Sequence, residues 1–551
     1  MYKNCPLITS GTGFLIVALG AICAWYVFPK LVEHQLHQNI DLVDGTQSYD
    51  YWKKQPFPLK FKIIFFNVTN AAEVQNGAKP ILKEIGPYVY DQYRERVDIS
   101  VDETRDVLKY VLKKTFLFNK QDSGCHDIDD TVTILNAALV GTALQVEILF
   151  PSALPAISEA IPYLFPGTKD IFLTAKVKDI LFDGIRLYCQ DDEVEFVCGA
   201  MKGTLPKTIK VAENGKDFLF SMFGHLNGTD DGPWEMGRGL KNTTKGQIYS
   251  YEGQTKMDIW GNEYCNQING SDSTVFPPYF NLLKPMRVYT FAQDFCRSLY
   301  ASYEKEGEEF GIKTLRYSSK ISSLDRNPNN RCFCPRGNDE DGNEVVQCPI
   351  SGLADVTPCM KAPLLISYPH FYLADRSLLD FVTGLDPKKE LHENYANIEP
   401  LTGTPVSGRK RIQMNMQIKR LEGFELLENV SAGVFPILWI EEGATLPVEF
   451  ADILVSNMAK ISSLDVVKWV LIVSGILLML LGFLLLMKKE GLLCFGNSAT
   501  VDITEMPKEL RDLGHGYETN PGLYPQLDNR NLNNPFTRKR HNDTWTNNII
   551  M

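Results

Sequence analysis

The chain is 551 residues long, enough for one large or several ordinary domains around a substantial core. With 22% charged residues and a net charge of −11 it excludes a chain-wide basic surface for nucleic acid, and 44% hydrophobic residues exclude a disordered polymer. A mean hydropathy of −0.15 speaks against a polytopic membrane protein, but an average conceals local runs.

Two such runs are present. Leu7 to Phe28 is 22 residues without a charge, which suffices to cross a hydrocarbon core of about 30 Å. A cleaved signal peptide is the alternative, but its apolar region of roughly 7 to 15 residues is shorter, so a retained transmembrane helix is preferred. Trp469 to Met487 is a second uncharged run of 19 residues, bracketed by Lys468, Lys488 and Lys489. The expected organisation is a short N-terminus (1–6), a span (7–28), a large ectodomain (29–468), a second span (469–487) and a tail (488–551).

Lys488 and Lys489, with weaker support from Lys3, place both termini in the cytosol and the large loop outside the cell. Two independent features agree. Sequons for N-glycosylation occur in the loop at Asn67, Asn227, Asn242, Asn269 and Asn429, and nine of the twelve cysteines lie there too. A sixth sequon, Asn542, would face the cytosol and stay bare. The tail balances eight basic against eight acidic residues, so the loop, with 47 basic and 59 acidic side chains, carries the negative charge. Such a surface offers nothing to nucleic acid or another polyanion.

Along the loop, residues 59–66, 107–118 and 434–440 read as strands. Residues 411–418 alternate strictly, which predicts a half-buried strand with Ile412, Met414, Met416 and Ile418 on its inner face. Residues 131–165 are rich in Ala and Leu at helical spacing, and Pro151, Pro155 and Pro162 cut them into short helices. A third span over 132–146 is too short and runs into Glu147, so these helices are expected to pack on the ectodomain. The class is therefore α+β. The tail is rich in Asn, Pro and Gly and is expected to be disordered, with Arg538, Lys539 and Arg540 as a solvated run. Cys5 and Cys494 flank the spans on the cytosolic side, where S-palmitoylation and a plain free thiol are the two readings.

No signature of zinc hydrolysis, serine hydrolysis or phosphate cradling occurs, which lowers the prior for an enzyme; no catalytic residue, metal or cofactor is expected. His34, His37 and His370 are read as structural, the last in a core strand. Cys332 and Cys334 are spaced too closely for a zinc pair and favour disulfides. Six cysteines, 265, 296, 332, 334, 348 and 359, fall within 95 residues, and their spacing leaves 15 pairings open.

The long loop between terminal spans, its sequons and the cysteine cluster resemble the class B scavenger receptor family. The residues that carry the likeness are Gly86-Pro87-Tyr88, residues 131–141, Phe295-Cys296-Arg297-Ser298, Cys332-Phe333-Cys334, Pro369-His370-Phe371, residues 384–387 with 398–403, and residues 436–439. Residues 56–70 and the long polar tail are most similar to the insect sensory neuron membrane proteins, on the side of their type 2 branch. The resemblance implies disulfides Cys265–Cys332, Cys296–Cys359 and Cys334–Cys348. Cys189 and Cys198 lie outside that pattern; a bridge between them would leave Cys125 unpaired. The resemblance further implies an irregular antiparallel β-barrel with a lipid-sized tunnel and a distal helical cap, over residues 131–185, where ligands enter; Lys169 falls close to a cationic residue that meets acidic head groups there, and a solvated surface lysine is its other reading.

The expected function is a cell-surface lipid receptor or transporter. It would capture long-chain lipids, such as fatty acids or lipid pheromones, and pass them to the membrane or a neighbouring receptor in chemosensory tissue. Odorant receptor complexes and odorant-binding proteins are the partners this implies. The alternative is a scavenger or trafficking receptor for lipoprotein or protein cargo; a lipid-cleaving ectoenzyme ranks last.

Overall fold

The computed structural model describes residues 5–203, 205–241, 244–278, 286–318, 328–338 and 343–490. Asn242 and Cys494, the tail and its sequon lie outside the described residues.

The N-terminal helix runs from Cys5 to Ile22, passes through a π-helical turn at Cys23–Val27 and continues as Phe28–Ile40. Helix therefore extends past Phe28, the last residue of the span expected from sequence. Proline removes one backbone donor and crowds the preceding turn, and the wider π turn absorbs both effects. The C-terminal helix, Val448–Lys489, likewise begins well before the apolar run at 469. Both helices are long and apolar enough to cross a membrane.

The two helices lie against each other through small residues. A Cβ on Gly13 would come 2.7 Å from the Gly475 carbonyl oxygen, and one on Gly482 would come 2.5 Å from the Ser10 nitrogen. Backbone contact this close needs residues without side chains, and it supplies packing that the hydrophobic effect cannot provide in lipid.

The main sheet is antiparallel. In order of hydrogen bonding it runs Ile248–Tyr251, Asp230–Gly237, Val107–Phe118, Leu82–Asp102, Leu59–Val68, Gly433–Thr445, Pro405–Ile418, Tyr395–Ile398, Ile312–Ser318, Arg297–Glu309 and Arg287–Ala292. Its two edges, Ile248–Tyr251 and Arg287–Ala292, are joined by one short segment. Gly270 accepts from the Ile248 N–H at 2.9 Å, while Ser271 donates to Tyr289 at 3.1 Å and accepts from Phe291 at 2.9 Å. The sheet thus curls into a nearly closed barrel. Gly270 has φ +84°, and any Cβ there would run into the Tyr289 carbonyl, so the closure needs glycine.

The cap is mixed rather than wholly helical. Thr131–Leu135 is a strand paired with Phe172–Lys176, not the start of a helix; its β-branched Thr, Val and Ile favour extended backbone. Helix starts at Ala137, where the Asn136 side chain accepts the Leu139 N–H at 3.1 Å. The helices Ala137–Leu149 and Leu154–Leu164 turn Leu139, Val140, Ala143, Ile157, Ile161 and Leu164 into the main hydrophobic core.

Candidate functional site

The barrel encloses a cavity of about 700 Å³. Its lining extends to the two long helices, with Leu36 and Ile40 from the first and Phe450, Leu454, Met458 and Ile461 from the second. Residues 448–468, placed in the ectodomain by the sequence, are helix continuous with the second apolar run, and they bring Asn457 and Lys460 as well as these apolar side chains to the cavity.

Inside, the wall departs from the usual polarity of a sheet. In the strand Leu82–Asp102, Gln92, Arg94 and Arg96 are buried on one face, whereas Tyr93 between them is 40% exposed. Arg96 pairs with Asp272 at 2.6 Å and packs over Trp52 and Tyr110 at 4.8 and 5.2 Å from the ring centroids. It also donates to the Trp52 carbonyl. Arg94 pairs with Glu442 at 2.6 Å, Lys410 reaches the same carboxylate at 3.9 Å, and Lys114 meets Asp231 at 3.4 Å. Burial alone would raise the Glu442 carboxyl, but Arg94, Lys410 and Lys114 outweigh it and hold it at about 2. Burial likewise opposes ionisation of Asp272 and Asp294, and neighbouring cations, Arg96 for the first and Lys114 and Lys410 for the second, keep both below the ordinary range. The signal in the sequence is the alternation of Gln92, Arg94 and Arg96 at strand period; without the barrel, that face reads as solvent-exposed.

A second cavity, of about 510 Å³, lies outside the strands Arg287–Ala292 and Arg297–Glu309. Tyr264, Tyr289, Arg287, Arg297 and Phe333 line it, and Phe276, Val288, Leu299 and Tyr300 form a wall common to both cavities.

Four disulfides join Cys189 to Cys198, Cys265 to Cys332, Cys296 to Cys359 and Cys334 to Cys348. Three of them secure residues 328–359 against the barrel and against itself; the fourth ties the cap segment before Glu195–Lys202 to that helix. Cys5 and Cys125 are exposed free thiols. Asn227 and Asn429 are exposed; Asn67 and Asn269 are half-buried, and Asn67 accepts the Thr133 N–H at 2.7 Å. Lys169 is exposed on the cap, just past the helix Leu154–Leu164, and lines neither cavity.

His370 does not sit in a strand. It occupies a 3-10 turn with φ +55° and stacks on His392 at 4.3 Å between centroids. Its Nε2 lies 2.7 Å from Glu84, which also accepts the Trp439 indole N–H at 2.6 Å, and its Nδ1 accepts the Asp386 N–H at 2.9 Å. Burial pushes His392 down to about 4.

A barrel whose cavity opens between two helices of membrane-spanning length defines a membrane-anchored protein with an internal binding chamber. A model of the CD36 family matches residues 11–486, and the chain belongs to that family. Sensory neuron membrane protein 2 of Heliothis virescens is 40% identical over 476 residues, 85% of this chain and 90% of that protein. The protein of the same name from Manduca sexta is 39% identical over 495 residues, 88% and 94% of the two chains. Sensory neuron membrane protein 1 of Apis mellifera is 35% identical over 470 residues, 84% and 88%.

Proposed function

We propose that this protein is a cell-surface receptor that takes up long-chain lipids, such as fatty acids or lipid pheromones, and releases them to the bilayer or to a neighbouring receptor. Its termini are cytosolic and its barrel is extracellular. The observation that carries this reading is the 700 Å³ cavity opening between the two long helices. Its volume falls within the range of small-molecule sites, about 300 to 1,000 Å³.

Energetics favour such a path. Each methylene withdrawn from water gains about 0.8 kcal/mol, so a 16-carbon chain gains on the order of 12 kcal/mol and leaves a pocket for water slowly. A mouth flanked by membrane helices avoids that step. The cap exposes Ile148 (62%), Phe150 (63%) and Phe196 (74%), which suit first contact with an apolar ligand, and Lys169, exposed on the same cap, would meet an acidic head group there. Odorant-binding proteins as donors and odorant receptor complexes as acceptors fit this role. No bond is made or broken in it.

Full-length protein in nanodiscs is expected to bind a fluorescent fatty acid, and long-chain lipids are expected to displace it. If long-chain acids, alcohols, esters and aldehydes all fail to displace the probe, the reading is wrong.

A further inference from the structure

The main cavity has a charge character opposite to that of the molecule. The ectodomain is acidic, yet seven basic residues line the chamber (Arg94, Arg96, Lys114, Lys245, Arg409, Lys410, Lys460) against three acidic ones (Asp272, Asp294, Glu442). Most of these cations are engaged. Arg96 holds Asp272, Arg94 and Lys410 hold Glu442, Lys114 holds Asp231, and Arg409 lies 3.6 Å from Glu441. Lys460 is exposed near the mouth and donates to Asn457.

Lys245 is different. It is only 8% exposed and lines the chamber, yet no hydrogen-bond acceptor or carboxylate lies within bonding distance of its ammonium among the described residues. Asp41, bound to His37 at 3.0 Å, is the one charged group whose field reaches it, and it lies too far for an ion pair. A buried ammonium with no counter-ion is costly, and a fold keeps one most readily when something else supplies the charge.

We propose that Lys245 is the internal anchor for the head group of a long-chain carboxylate, so that the chamber prefers anionic lipids over neutral ones of equal length. This inference rests on the lipid-receptor reading and specifies its ligand class. The carboxylate would bond the ammonium and complete its missing pairing, while the chain runs along the apolar wall toward Leu36, Phe450 and Met458. Burial lowers the Lys245 ammonium to about 8, with Asp41 opposing the shift. Above that pH the anchor becomes neutral and its attraction for an anion is lost.

The test compares palmitate, hexadecanesulfonate and hexadecanol on full-length wild type, Lys245→Met and Lys245→Arg in nanodiscs, with each melting temperature measured. Lys245→Met is expected to weaken both anions by about tenfold or more and to leave hexadecanol within about twofold, while Lys245→Arg keeps most of the anion affinity. In wild type, sulfonate affinity is expected to fall as pH rises from about 7 to 9, with hexadecanol flat. The sulfonate carries a fixed charge, so this arm reads the protein's titration alone and decides the matter even where a variant misfolds.

Unchanged anion binding by folded Lys245→Met overturns the anchor, as does equal loss of the alcohol or a flat sulfonate profile in wild type. If wild type takes none of the three ligands, the lipid-receptor reading fails and the anchor with it. If all three bind and Lys245→Met does not discriminate among them, only the anchor fails.

Discussion

Arg96 is a guanidinium whose charge is neutralised by one carboxylate deep in the barrel. Its 2.6 Å pairing with Asp272 offsets the cost of burial only while both partners are present. Asp272→Asn is therefore expected to destabilise the ectodomain by about 3 to 5 kcal/mol, read as a lowered denaturation midpoint. The histidine stack gives a pH signature. Because His392 titrates near 4 in the folded protein and near 6.5 in the unfolded chain, the unfolded state binds more protons between those values. Its contribution is fully present above about pH 6.5 and is lost as pH falls toward 4, on the order of 3 kcal/mol in all. Glu442, depressed to about 2, continues the loss from about pH 4.5 downward. Urea denaturation of wild type between pH 7 and 4 checks the first part, and His392→Gln is expected to flatten it. Little of this was legible in sequence. His370 was read as structural on its own, but its partners Glu84 and His392 are separated from it by 286 and 22 positions, and no local pattern links them.

Among elements, the strands were legible where alternation was strong and misread where both faces are covered. Residues 411–418 alternate as expected, with Ile412, Met414, Met416 and Ile418 facing the core. Arg411, Gln413 and Asn415 on the other face are buried too, so the strand is not half-buried. They are satisfied by Glu441, by the His370 N–H and by Ser367. Partners from distant chain segments convert a polar face into interior, and periodicity cannot announce them. The closing segment is the other case. A barrel saves its edge strands from exposure, and here Gly270 and Ser271 supply the bonds that join the edges. Gly270→Ala keeps the sequon at Asn269 intact but forces the carbonyl of Tyr289 away. It is expected to cost at least about 2 kcal/mol and to raise amide exchange in Arg287–Ala292, which hydrogen-exchange mass spectrometry reads.

For the whole molecule, the arrangement is a barrel held at both chain ends by helices that touch through Gly13, Gly475 and Gly482. Gly13→Leu is expected to part the helices and lower the melting temperature of the full-length protein in nanodiscs, whereas Gly11→Leu, on a side with open space, is expected to leave it unchanged. The proposed topology has its own check. Glycosidase applied to intact cells is expected to shift the mobility of the protein, and changing Asn429 and Asn227 to Gln together is expected to remove part of that shift. An unshifted band would put the barrel on the cytosolic side.

The anchors, the mixed class, the crowded cysteines and the family likeness could all be read from the chain, because each rests on local composition or on spacing along it. A run of 22 uncharged residues is an anchor wherever it folds. The chamber and its reversed charge could not be read in this way. Arg96 and Asp272 are 176 positions apart, and Lys245 is an ordinary loop lysine until the barrel closes around it. Only tertiary structure decides which side of a curled sheet is the interior, and burial then determines which charges must find partners.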